Sequence, residues 1–75
     1  MSRSLTDLAP AESGRIVALE GAASEIQRLR DMGLTRGARV EVVRVAPLGD
    51  PMELRVRGFI LTLRKHEAAG VRVEP

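Results

Sequence analysis

The segment Ala46–Pro51 constrains the fold more than any other part of the chain, because it interrupts two runs that are typical of β-strands. Its two prolines remove backbone donors and fix φ near about −65°, while Gly49 can adopt a positive φ. Asp50 can form a hydrogen bond with its own backbone. We therefore expect a stiff, ordered loop between two strands, with the apolar side chain of Leu48 at its tip.

The runs on either side of this loop predict two strands. The first, Ala38–Val45, shifts its apolar phase from Val42 to Val43, which indicates a β-bulge or a strand buried on both faces. The second, Met52–Arg57, alternates apolar and charged residues as a half-buried strand does. The same patterning predicts three more strands, Arg15–Leu19 with Ile16 and Ala18 on one face, Phe59–Arg64 after a turn at Gly58, and Val71–Val73.

The helical signals are short. Leu5–Pro10 reads as a brief lead-in, and Lys65–Gly70 as a single helical turn. Ser24 and Gln27 have the spacing of a capping box, so a helix is predicted to start at Ser24. Gly33 lies where a left-handed C-terminal cap is needed, which would fold Leu34 back toward Leu29 on the apolar stripe of this helix.

Five short strands, tight connections and a small helix within 75 residues predict a mainly β fold, a small SH3-like barrel forming one domain over residues 1–75. An open α+β sheet is the alternative. The chain has no cysteine, so neither disulfides nor thiolate metal sites can contribute, and packing of the core must hold the fold.

Charge and hydropathy bound the location and the partners. The formal charge is +2, from 12 basic and 10 acidic residues, and the pI of about 10.4 reflects the high pKa of arginine more than a strong field at pH 7. The chain contains no run of ~18 apolar residues, the length needed to span a bilayer, so direct membrane insertion is not expected. Met1–Ser4 leads into polar sequence, unlike a secretory signal, and a cytoplasmic location is predicted.

The residues that catalysis requires are scarce. The chain has a single histidine, His66, and lacks a paired nucleophile and base. Asp50, Glu53 and Glu67 are interpreted as solvated carboxylates, and one histidine among scattered acids falls short of a metal site. Gly33 and Gly37 are not followed by the Lys-Ser or Lys-Thr of a phosphate loop. The sequence predicts no enzyme, no cofactor, no metal site and no nucleotide site.

Nucleic-acid binding is also not expected. Four arginines could crowd one outer face of the sheet, but single-strand recognition by barrels depends on aromatic stacking, and Phe59 is the only aromatic residue. A solvated arginine face is the preferred interpretation. The same lack of aromatic residues argues against a groove for proline-rich peptides. The four arginines are Arg44, Arg55, Arg57 and Arg64.

The strings Arg28–Leu34 (RLRDMGL) with Gly37, and Val40–Pro51 (VEVVRVAPLGDP), resemble the FeoA family of small accessory proteins of bacterial ferrous iron uptake. The resemblance continues through Leu54–Gly58 to the final Val71–Pro75 and covers essentially the whole chain. Two departures are visible, Met32 where leucine is common and Arg36 where proline is frequent. Neither threatens the fold, because Met for Leu keeps volume and a lost proline costs only loop rigidity.

The resemblance implies an SH3-like regulator, not an enzyme, that binds the cytosolic GTPase domain of the membrane transporter FeoB and is recruited by it to the inner face of the membrane. The resemblance leaves open whether the chain forms a weak homo-oligomer. It associates transition metal ions with the family as a whole and not with named residues. Two alternatives remain. One is the SH3-like domain of iron-dependent repressors, and the other is an RNA-associated barrel.

With no residue carrying chemistry, regulation would act through differential binding to states of the partner. The expected contact surface combines the proline-rich loop with the outer side of the turn that ends the helix. A rigid loop loses little entropy on docking, and an apolar tip can anchor a contact. The predicted contact residues are Arg28, Arg30, Leu34, Pro47, Leu48, Asp50 and Pro51.

Overall fold

Six antiparallel strands form one sheet in the computed structural model, which describes residues 2–75. The strands join in the order β1-β6-β2-β3-β4-β5, so β1 and β5 are the two edges. The elements in chain order are β1 (Arg3–Ser4), a 3₁₀ helix (Leu5–Asp7), β2 (Ser13–Leu19), α1 (Ala23–Asp31), β3 (Arg39–Val45), β4 (Met52–Val56), β5 (Phe59–Leu63), α2 (Lys65–Ala68) and β6 (Val71–Glu74).

The mainly β prediction is confirmed, and each of the five predicted strands is present. One further strand, β1 (Arg3–Ser4), was not predicted. Its two residues pair with Val73 and Arg72 of β6, and so short a stretch has no periodicity of its own from which pairing could be predicted.

One apolar core lies against the sheet. Strand residues fill most of it, and the 3₁₀ helix, the two α-helices and nearby loops supply the rest. Within residues 2–75 no polar or charged side chain is buried, so the interior stabilises the fold by apolar burial and packing. The buried residues are Leu5, Leu8, Ile16, Leu29, Leu34, Ala38, Val40, Val42, Met52, Leu54, Val56, Leu63, Ala68, Val71 and Val73.

Bulges interrupt two of the strands. In β3 the register with β4 shifts between Val42 and Arg44, which confirms the bulge predicted from the valine pattern. In β2 the register with β6 shifts between Ile16 and Ala18. The prediction that these two residues share a face was therefore wrong, since the extra residue turns Ala18 to solvent while Ile16 is fully buried.

The start of α1 differs from the prediction. The helix begins at Ala23, with Ala22 as its N-cap residue, so Ser24 lies inside the first turn and does not cap it. The side chain of Glu25 accepts a hydrogen bond from the Ala22 amide at 3.3 Å, which satisfies a donor that would otherwise lack a partner. The carboxylate thus takes the place that the sequence pattern assigned to Gln27.

The end of α1 is confirmed as a Schellman motif. Gly33 has a φ of 96°, and its amide donates to the Arg30 carbonyl at 2.9 Å. The Leu34 amide then donates to the Leu29 carbonyl at 3.0 Å. This pair of bonds is the pattern that a left-handed residue after the helix produces. Leu29 and Leu34 both lie in the core, so the helix ending also fixes two core side chains.

We expect Gly33→Val to lower the free energy of unfolding by roughly 1–3 kcal/mol, because a β-branched residue is strained at positive φ. The added Cβ would meet nothing closer than the Arg57 Cδ at 4.0 Å, so the cost comes from the backbone and not from a clash. Urea denaturation measures the effect. Gly33→Asn is the matched control and should cost less, since asparagine tolerates this region. Equal midpoints for wild type and Gly33→Val would contradict this account of the helix ending.

Candidate functional site

The loop between β3 and β4 is ordered by its own backbone. The Gly49 amide donates to the Ala46 carbonyl at 2.7 Å, which closes a turn, and the Ala46 amide donates to the Pro51 carbonyl at 3.0 Å. Gly49 has a φ of 83°, and the Asp50–Pro51 peptide is cis. The predicted stiff loop is therefore present between the two predicted strands.

Asp50 fixes the loop to a distant part of the chain. Its Oδ1 accepts a hydrogen bond from the Lys65 amide at 3.0 Å, at the first residue of α2. Asp50 was expected to bond its own backbone, whereas the hydrogen bond of its carboxylate caps the first turn of a helix that follows in the chain. Asp50 therefore positions the loop, and its carboxylate is already engaged before any partner binds.

Leu48 projects from the tip of this loop into solvent. Its exposed fraction is 92%, the highest among the large apolar side chains that are exposed within residues 2–75. Pro47 beside it is exposed, and Pro51 is half-buried. The Leu48 side chain does not fold back over the core. An apolar side chain held out by a rigid loop is well suited to insertion into a pocket on another molecule.

The two predicted arginines lie on the exposed side of α1. Arg28 Nη1 is 3.3 Å from Glu67 Oε2, and Arg30 makes no salt bridge within residues 2–75. The Glu67 side chain is only 11% exposed, and it also accepts a hydrogen bond from the Arg64 amide at the start of α2. The side chain of Arg28 is itself 69% exposed, so this pair adds little stability and leaves the cation accessible.

Leu34 does not belong to the candidate surface. Its side chain is fully buried in the core, so the prediction that it contributes to a contact was wrong in this respect. The reason is the Schellman motif, which folds the residue after Gly33 back under the helix.

The short helix α2 connects the two parts of the candidate surface. Asp50 of the loop bonds the Lys65 amide, and Glu67 pairs with Arg28 of α1. No local sequence signal indicates this role of α2, since both contacts join residues far apart in the chain. A cleft of about 70 Å³ lies beside α2, and it is lined by Glu20, Glu25, Arg28, Leu29, His66 and Glu67.

The arginines of the outer face are neutralised in part by acidic neighbours. Arg55 Nη1 lies 3.0 Å from Glu41 Oε1, and Arg44 Nη1 lies 4.0 Å from Glu53 Oε2. These pairs leave a face of mixed charge, which supports the interpretation of a solvated surface over a phosphate-binding one.

Two further findings bear on function. Within residues 2–75 no group of three or more His, Cys, Asp or Glu side chains is placed to hold a metal ion. No helix of this part of the chain has the length and apolar character needed to cross a membrane.

Similarity to known proteins shows the family of this chain. A family model described as the FeoA domain matches residues 3–75. The chain belongs to the FeoA family. A fusion protein of Porphyromonas gingivalis, an Fe(2+) transport protein A joined to the Fe(2+) transporter FeoB, is 34% identical over 70 residues. That match covers 93% of this chain, which spans 8% of the length of the fusion protein.

Solved FeoA structures confirm the SH3-like prediction. An iron uptake regulatory protein (FeoA) superposes with a TM-score of 0.88 at 30% identity, covering 99% of this chain and 96% of that one. The FeoA of Stenotrophomonas maltophilia, complexed with zinc and described as a procaryotic SH3 domain protein, has a TM-score of 0.80 at 28% identity. The superposition covers 99% of this chain and 89% of the S. maltophilia protein.

The repressor-type alternative is similar in fold alone. A manganese-dependent transcriptional repressor superposes with a TM-score of 0.88, but at 12% identity, over 96% of this chain and 40% of the repressor. The FeoA family members therefore match this chain more closely in sequence, at a similar agreement in fold.

We expect the purified chain to bind neither GTP nor Fe²⁺ with micromolar affinity. The sequence lacks a phosphate loop, and the described residues lack a cluster of metal ligands. Calorimetric titration under anaerobic conditions measures both, with an isolated GTPase domain as the positive control for GTP. Micromolar binding of either ligand by the monomer would contradict the prediction that the chain has neither a nucleotide site nor a metal site.

Proposed function

We propose that this chain is a non-enzymatic accessory protein of ferrous iron uptake that binds the cytosolic GTPase region of a FeoB-type membrane transporter. The observation that carries the proposal is the P. gingivalis relative, in which a domain matching nearly all of this chain is part of the same polypeptide as FeoB. Covalent fusion holds two domains at an effective concentration in the millimolar range for short linkers. Where the two domains are on separate polypeptides, a docking surface must bring them together.

The proposed docking surface consists of the loop Ala46–Pro51 and the exposed side of α1. Leu48 is the apolar anchor, and Asp50 holds the loop that carries it. Because the loop is already ordered, docking costs little further backbone entropy. Arg28 and Arg30 add accessible positive charge, which suits acidic groups on the partner and accelerates encounter.

Regulation follows from preferential binding to one state of the GTPase region. A protein that binds one state more tightly than another shifts the equilibrium by that difference in affinity and needs no catalytic residue. Such a role places the chain in the cytoplasm, at the inner face of the membrane whenever it is bound to the transporter. Nucleotide and iron would then be handled by the transporter.

We expect Leu48→Asp to weaken binding to the purified cytosolic domain of a FeoB-type transporter by about 2 kcal/mol or more, close to 30-fold in affinity. The aspartate loses apolar burial and must remain solvated. Since Leu48 is 92% exposed, the fold should be intact. Leu29→Asp, by contrast, should unfold the chain, because Leu29 is only 3% exposed and lies in the core.

Circular dichroism separates loss of fold from loss of binding, and calorimetry gives the affinities. Phe59→Asp is the matched control, because it makes the same kind of change at an exposed apolar residue at the far end of the β4–β5 hairpin. It should bind like wild type. Folded Leu48→Asp with wild-type affinity would show that the loop is not the contact surface. A wild-type chain that fails to bind the transporter domain would contradict the proposed function itself.

A further inference from the structure

The strand β5 is an open edge of the sheet. It pairs only with β4, whereas every strand between the two edges has two neighbours. The other edge, β1, is two residues long and carries Arg3, which forms a salt bridge with Glu12. Charge and short length are the usual protections of an edge, so β1 is protected and β5 is the edge that remains available.

The turn before β5 determines which backbone groups face outward. Arg57 and Gly58 both have positive φ, 50° and 82°, and form a two-residue hairpin loop of the type I′ kind. The flanking residues Val56 and Phe59 are then a hydrogen-bonded pair, and hydrogen-bonded and non-hydrogen-bonded pairs alternate along the hairpin. The residues of β5 that direct both amide and carbonyl away from β4 are therefore Ile60 and Thr62.

An independent contact supports this alternation. Val42 lies opposite Leu54 of β4. Its carbonyl accepts a hydrogen bond from the Ala11 amide, and its amide donates to the Glu12 carbonyl, so both groups point away from β4. Val42 and Leu54 are therefore a non-hydrogen-bonded pair. Leu54 thus directs its own backbone toward β5, where it faces Leu61. The same phase leaves four backbone groups of Ile60 and Thr62 without a partner among the described residues.

The side chains of β5 also suit pairing. The strand, Phe-Ile-Leu-Thr-Leu, contains neither charge nor proline. Phe59 is 70% exposed and Ile60 is 53% exposed, so two large apolar side chains lie at the open edge with little to contact in the monomer. An uncharged, β-prone edge of this length favours addition of another strand.

We propose that β5 pairs antiparallel with β5 of a second copy of this chain, about a two-fold axis at Leu61. In this register Ile60 and Thr62 of one copy exchange hydrogen bonds with Thr62 and Ile60 of the other, which satisfies all the outward-facing groups. Leu61 lies opposite its own copy, and Phe59 lies opposite Leu63. The inference concerns an interface separate from the proposed transporter contact and does not depend on it.

The lack of charge within β5 fits a second copy as the occupant of this edge. A two-fold axis places identical segments against each other, so any charge within the strand would bring like charges close together. None is present between residues 59 and 63. The basic residues Arg57, Arg64 and Lys65 flank the strand and lie outside the paired segment. Their mutual repulsion weakens the dimer, and higher salt should therefore strengthen it.

Disulfide trapping tests the register, and the natural chain has no cysteine to interfere. In Leu61→Cys the two Cα atoms would be about 4.5 Å apart, within the range of a disulfide. In Thr62→Cys they would be on the order of 8 Å apart, which is too far. Under mild oxidation we expect Leu61→Cys to form a covalent dimer and Thr62→Cys to stay largely monomeric. Equal cross-linking of the two variants would overturn the register.

Sedimentation of the full chain tests the dimer without a cross-link. The Thr62 amide is unused in the monomer, so Thr62→Pro removes two hydrogen bonds from the dimer and none from the fold. Wild type and the control Thr62→Val should dimerise as concentration and salt rise, while folded Thr62→Pro should remain monomeric. A wild-type chain that stays monomeric at the concentrations used for NMR, or a Thr62→Pro chain that dimerises like wild type, would overturn the proposal.

Discussion

The apolar face of the sheet is covered by side chains from short segments outside the strands, and this contact is the one on which the rest of the structure depends. Leu5 and Leu8 come from the lead-in, Leu29 from α1, Leu34 from the turn that follows α1, and Ala68 from α2. A domain of this size buries a modest share of its surface, and this chain has no disulfide to supplement it. Each covering segment is therefore needed for the fold, and its position fixes the surface around it.

The three most exposed large apolar side chains of residues 2–75 are Leu48, Phe59 and Ile60, and they lie near the two ends of the β4–β5 hairpin. Leu48 is at one end, on a loop that Asp50 fastens to α2, and Phe59 and Ile60 are at the other. Exposed apolar residues grouped in this way mark interaction sites more often than scattered single ones do. The two proposed contacts, one with a transporter domain and one with a second copy of the chain, therefore use separate surfaces and do not exclude each other.

Sequence patterns predicted the features that local chemistry determines. The bulge after Val42, the left-handed Gly33 and the ordered loop each follow from residue type and spacing over a few positions. Where the outcome depends on distant parts of the chain, the patterns failed or were silent. The Asp50 carboxylate bonds the Lys65 amide, and Leu34 is buried by the turn that precedes it. The sequence predicted the ordered loop, whereas the connection between the loop and α1 through α2 could not be read from it.

The central claim is that the loop Ala46–Pro51 and the exposed side of α1 form one contact surface for the transporter. NMR titration of the labelled chain with the cytosolic domain of a FeoB-type transporter tests it residue by residue. The account predicts the largest amide shifts at Leu48, Gly49, Arg28 and Arg30, with the amides of β5 changed little. Large shifts confined to β5, with the loop and α1 unaffected, would contradict it.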